Sequence, residues 1–132
     1  MTDHLLSPDR SVEIAGTTYT LSGSLATLKS IQEKFGRDIL SVLADALQLK
    51  LWFGDLALLM RIGIEHGGQA APDLEAIERA VVEDIGINQA GYLVMEWLVA
   101  ATSPKRDRSG NVNGVLAAIK ALEAARRAPR KR

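Results

Sequence analysis

The chain contains no cysteine, which excludes a disulfide framework, a thiolate metal site and a cysteine nucleophile, and leaves the redox compartment open. Histidine is limited to His4 and His66, with no spacing that would set a pair on one helix face, so a zinc site has no ligand set to draw on. His66 falls at the end of an expected helix and reads as a cation or hydrogen-bonding group there. Aromatic residues make up 5% of the chain, and none lies among the basic residues of the C-terminal segment, which removes the stacking platform of a single-strand nucleic-acid binder. Long apolar runs are missing too: the longest, Leu51 to Ile64, is broken by Asp55 and Arg61. It falls short of the roughly twenty residues of a membrane span and reads as a buried helix. Near the start, Asp3, His4, Pro8 and Asp9 stand where an export signal would place basic and then apolar residues, so a cytoplasmic location is expected.

What is present is one domain's worth of chain, 132 residues, with 47% hydrophobic and 24% charged residues, enough to build a single packed core. Its zero net charge conceals an asymmetry. From Pro104 to Arg132 nine basic residues face only Asp107 and Glu123, a balance of +7, so the remainder, with seven basic and fourteen acidic residues, carries −7. Such a split describes an acidic body with a basic arm that meets an anionic partner or the body itself.

The periodicities predict a mainly α protein: a small bundle of about five helices with a short N-terminal β-hairpin and a C-terminal amphipathic helix ending in a basic tail. Val12 to Ile14 and Thr18 to Leu21 alternate as two short strands around Ala15-Gly16-Thr17, a hairpin that needs helices to pack on. Ser24 can cap a helix with Leu25, Leu28, Ile31 and Phe35 on one face, and Gly36 can stop it. Ile39, Leu40, Leu43, Ala46 and Leu47 predict a second helix. A third, from about Asp55 to Glu65, is apolar on nearly every side and therefore central. Trp52 and Phe53 precede it and, with Trp97, read as core. Pro72-Asp73 predicts the start of a fourth helix, proline standing in its first turn, with Leu74, Ile77, Val81, Val82 and Ile85 buried. Asn88 is the expected cap of a fifth, running to about Thr102 with Tyr92, Leu93, Met95, Trp97, Leu98 and Val99 in the core. The expected organisation is a polar leader over 1–11, a helical domain over 12–103, a linker over 104–114 and an arm over 115–132.

Chemistry-bearing patterns are scarce. Asp73, Glu75, Glu78, Glu83 and Asp84 lack the loop spacing of calcium ligands and read as a solvated helix face. Gly67-Gly68 and Gly110 to Gly114 lack the lysine, serine and preceding parallel strand of a phosphate cradle. No nucleophile elbow is present. The reading is a non-enzyme without a cofactor. On the arm, Val115, Leu116, Ile119 and Leu122 form one narrow apolar stripe followed by Arg126 and Arg127, and these six are the candidate partner-binding residues. A stripe so narrow holds a helix of about fifteen residues only when it is docked on something. The same arm supplies donors for phosphates, so nucleic acid is the alternative partner, and self-docking or self-association stays open.

The order of elements carries a resemblance. A hairpin with Ala15-Gly16-Thr17-Thr18-Tyr19-Thr20-Leu21 leads into Ser24 to Phe35-Gly36 with Glu33 just before that pair, then an apolar helix Leu56 to Gly63 and an acidic helix ending Asp84-Ile85-Gly86. From about Val12 to Thr102 this resembles the tail assembly chaperone family of gene transfer agents and related long-tailed phages. Where relatives commonly carry a more polar loop, this chain has Leu47, Leu49, Leu51, Trp52 and Phe53. The resemblance implies a non-enzymatic host-cytoplasmic protein that binds the tape-measure protein, supports polymerisation of the tail-tube protein and leaves the particle. A structural tail or head–tail component is the neighbouring alternative. In several relatives a longer form arises by ribosomal frameshifting, and the segment after Pro104 sits where such an extension would begin.

Overall fold

The computed structural model describes residues 7–103. It is mainly α: five helices follow a two-stranded antiparallel hairpin, as the periodicities predict. The first six residues, the linker and the arm lie outside the described residues.

Strands β1 (Arg10–Ile14) and β2 (Thr17–Leu21) pair in register from Arg10 opposite Leu21 to Ile14 opposite Thr17. The turn is two residues, Ala15 and Gly16, both at positive φ, the sense that matches strand twist in tight hairpins. Alternation buries Val12, Ile14 and Leu21 and leaves Ser11 and Glu13 outside. β1 begins at Arg10, inside the stretch expected as leader, and before it Asp9 Oδ1 accepts the Gly23 N–H at 3.0 Å.

Helix α1 (Leu25–Phe35) is capped by Ser24, whose Oγ accepts the Thr27 N–H, and ends at Gly36 with φ +65°. Leu25 on this helix is exposed, because the buried face runs through Thr27 and Ile31. Helix α2 (Ile39–Leu47), capped by Asp38, buries Val42, Leu43 and Ala46 and leaves Leu40 outside. Helix α3 (Phe53–His66) starts two residues earlier than its charges suggest and is the hub: it packs on β2, α1, α4 (Leu74–Arg79) and α5 (Ile87–Thr102).

Three expectations about the second half are corrected. Pro72 stands before the helix, not in its first turn, since Asp73 is the cap and its Oδ1 accepts the Ala76 N–H at 2.9 Å. The helix after it does not stay α: α4 passes into a π-helical turn, Ala80–Ile85. Within it Ala80 and Val81 are buried, Ile85 is half-buried and Val82 lies outside. Third, α5 begins at Ile87 after Gly86, with no side-chain cap from Asn88. Its inward face is built on small residues, Ala90, Gly91 and Ala101, alongside Val94, Trp97 and Leu98, so Tyr92 is pushed outside. Small side chains win that face because they let α2 come close to α5.

The core is locked where three elements meet. Trp97 is fully buried, and its Nε1–H donates to the Ser22 carbonyl at 3.2 Å, while the Ser22 N–H donates to the Gly63 carbonyl at 3.0 Å. The indole lies on Gly63: a Cβ there would stand 2.8 Å from Trp97 Cζ2 and 3.2 Å from Leu21 Cδ2. Further along, the Gln69 Oε1 accepts the Thr20 N–H at 2.7 Å, tying β2 to the chain beyond α3.

Two effects oppose each other for Gly63→Ala. Helix propensity alone raises stability by about 1 kcal/mol, whereas overpacking against a buried indole costs about 1–3 kcal/mol. The expected outcome is a net loss, read as a lower denaturant midpoint at unchanged m-value.

Candidate functional site

Helix α2 ends without a glycine. The Leu49 N–H donates to the Ala46 carbonyl at 3.1 Å and the Lys50 N–H to the Asp45 carbonyl at 2.8 Å, the paired bonds of a Schellman ending. The left-handed position of that motif is filled by Leu49, at φ +54°. A β-carbon in this conformation costs roughly 1–2 kcal/mol, and glycine takes the corresponding place after α1. Leu49 nevertheless stays 44% exposed. The strained backbone thus presents an apolar side chain to water.

Around it lies an apolar recess between the α2–α3 connection and the start of α5. Ala46, Leu51, Leu56 and Gly91 form its buried floor, with Leu49, Ile87 and Asn88 at the rim. Gly91 keeps the floor low, since a Cβ on it would sit 3.3 Å from Leu49 Cδ2. Ile87 is 46% exposed and Tyr92, beyond Gly91, 48%. Trp52 is not core: it is 62% exposed, its ring stacked over Gly54 and tilted 59° to Phe53 at 5.3 Å. Trp97, by contrast, is core as expected. The recess holds about 30 Å³, space for a water or the tip of one side chain. Small-molecule sites are far larger, roughly 300–1,000 Å³. A recess of that size does not enclose a metabolite.

The surrounding charge is negative. Residues 7–103 hold thirteen acidic and seven basic side chains, a balance of −6. Arg37 pairs with Asp45 at 2.7 Å, and Arg79 with Glu75 at 3.5 Å and Glu83 at 4.0 Å. Asp55, at the start of α3, and Asp84, just before Gly86, form no ion pair among the described residues. The acidic group around α4 thus serves for capping and for i,i+4 pairs on a solvated face. His66 shares a 2.8 Å hydrogen bond with Ser30 Oγ, joining the end of α3 to α1. Among the described residues no cluster of three or more His, Asp or Glu could hold a metal ion, and no helix is long and apolar enough to cross a membrane.

The residues expected to bind a partner, Val115, Leu116, Ile119, Leu122, Arg126 and Arg127, lie outside the described residues, as does His4. The recess on the body was not foreseen, because Leu49, Ile87 and Tyr92 sit at helical spacings that read as core or as connection. The signal that pointed to it is compositional: Leu47, Leu49, Leu51, Trp52 and Phe53 crowd a helix–helix connection where polar turn residues are usual. Comparisons with protein-family models, curated proteins and solved structures gave no match.

Replacing Leu49 by glycine and by alanine separates strain from side-chain loss, because both remove the same apolar contact. In a helix interior glycine is the worse of the two by up to about 1 kcal/mol; at a left-handed residue the order reverses. Leu49→Gly is expected to be more stable than Leu49→Ala by about that amount in urea unfolding.

Proposed function

We propose that this protein is a non-enzymatic assembly chaperone of a phage-like tail, which holds the tape-measure protein in the host cytoplasm and supports tail-tube assembly. The observation that supports the reading best is the open apolar surface on an acidic helical body, Leu49, Trp52, Ile87 and Tyr92, in a chain that ends in a second apolar stripe, Val115, Leu116, Ile119 and Leu122. The resemblance of the stretch from about Val12 to Thr102 to tail assembly chaperones supplies the partner class. A tape-measure protein is long and helical, and its apolar stripes need cover until the tube encloses them. An amphipathic helix and a shallow apolar recess are complementary devices for covering such stripes reversibly. Arg126 and Arg127 would lie at the end of the stripe, where they can meet acidic residues of the partner.

A second reading, nucleic-acid binding through the same arm, is favoured by its +7 balance. The two differ in salt response. Neutralising about five phosphates gives a log–log affinity slope near −0.9 for each of them, while capture through apolar surface changes far less over the same range.

The test compares the full chain with residues 1–103 in pull-downs of the tape-measure protein from the same gene cluster. The body carries its own core around Trp97 and is expected to keep its far-UV circular dichroism and cooperative melting. Capture is expected to weaken on removal of 104–132, with only shallow salt dependence in the full chain. Equal capture by the two forms overturns the proposal, and a steep salt slope with duplex or single-stranded nucleic acid replaces it by the second reading.

A further inference from the structure

The recess on the body and the stripe on the arm belong to one chain, and we propose that they bind each other: residues 115–122 dock into the recess at the start of α5, so that the free protein covers its own sticky surfaces. The docking stands on the geometry and charge of the body; the proposed function enters only in naming the partner that would compete for it.

The first argument is reach. Described chain ends at Ser103, just past α5, whereas the recess lies at the opposite end of that helix, at Ile87 and Gly91. The helix has 16 residues, so the separation is about 24 Å at 1.5 Å per residue. Residues 104–114 number eleven, and a fully extended chain of that length reaches about 36–40 Å. A random chain of the same length averages roughly 17–20 Å end to end, close to the required span. Tethers that match their span in this way give effective concentrations in the millimolar range, so even a weak contact is occupied within the chain.

The second argument is charge. The body carries −6 over residues 7–103 against +7 for residues 104–132, and the chain segments that border the recess hold Asp55 and Asp84 against one basic side chain, Lys50, all three without ion pairs among the described residues. Like-charged or neutral occupants gain nothing from that field. The third is shape. Ala46 and Gly91 leave a low floor that takes the tip of one aliphatic side chain, and the exposed Leu49 and Ile87 beside it offer apolar surface to the neighbouring residues of a stripe such as Val115, Leu116, Ile119 and Leu122. The bound arm then competes with any outside helix. Partner affinity is lowered by the fraction of chains that stand open, and the partner must displace an internal segment before it is held.

The absence of native cysteine makes the test direct. A nitroxide is attached to the full chain as Ala118→Cys, and amide signals of the ¹⁵N-labelled protein are followed with the label oxidised and reduced. Signals of Leu49, Ile87 and Gly91 are expected to lose most of their intensity, and those of Leu49 and Gly91 to recover in a second variant carrying Ile87→Glu, a half-exposed position whose replacement leaves the core intact. An isolated peptide of residues 104–132 is expected to shift the same signals of body 1–103 only at millimolar concentration. Signal loss elsewhere on the body, or none, overturns the proposal. So does loss seen when unlabelled spin-labelled chains are mixed with ¹⁵N chains that carry no label, because the occupant is then a second copy. No tape-measure protein is present, so failure of this test is distinguishable from failure of the pull-down, in which removal of 104–132 both opens the recess and takes away the stripe.

Discussion

Everything in this fold is referred to the contact between Trp97 and Gly63. A full-sized indole can lie on the axis of α3 only because residue 63 has no side chain, and once there its N–H reaches the Ser22 carbonyl at the end of β2. Three elements distant in sequence are thereby set at one point: the strand, the central helix and the last helix. An isolated hairpin is marginal in water; here the Ser22 N–H bonded to the Gly63 carbonyl makes it an extension of the bundle. The apolar encirclement of α3 follows from the same point, since a helix touched on one side by the strand and on others by α1, α4 and α5 has little surface left for charge.

Most of this architecture could be read from residue patterns, because the signals were local. Ser24 caps and Gly36 ends α1 through chemistry that needs no tertiary context. The burial of Ile31, Leu43 and Ile64 follows from helical spacing. What escaped reading depended on how faces meet. Tyr92 is larger and more apolar than Ala90 or Gly91, yet the small residues take the interface because close approach of α2 and α5 contributes more than one ring. The π-helical turn at Ala80–Ile85 has no signature in the residue spacing, since Ile77 and Val81 are four apart as in any α-helix. Asn88 is a good cap by type, but Gly86 at φ +92° already redirects the chain one residue before Ile87.

The candidate surface was hidden for a related reason. Nothing in a single sequence distinguishes a leucine that fills a core from one held in a left-handed turn at the surface. Leu49 is the second kind, and the Schellman bonds of Lys50 and Leu49 itself are what hold it there. The acidic body with an apolar recess and the basic arm with an apolar stripe are complementary in both charge and surface type, which links the proposed capture of a helical partner to the proposed self-docking. A chain of the proposed kind needs its exposed apolar surface kept from other copies until a partner arrives.

The Gln69 amide that receives the Thr20 N–H bears on that last requirement. A two-stranded ribbon has two open edges, each a row of unsatisfied backbone groups able to template further strands. On the β2 side one of those groups is occupied by a side chain from beyond α3, and the next residues are drawn into the bundle at Ser22. Edge-to-edge stacking of hairpins is blocked on that flank without a proline or a bulge. A single glutamine side chain thus takes a backbone donor that an added strand would need, in a molecule whose acidic surface also carries exposed Leu49, Trp52, Ile87 and Tyr92.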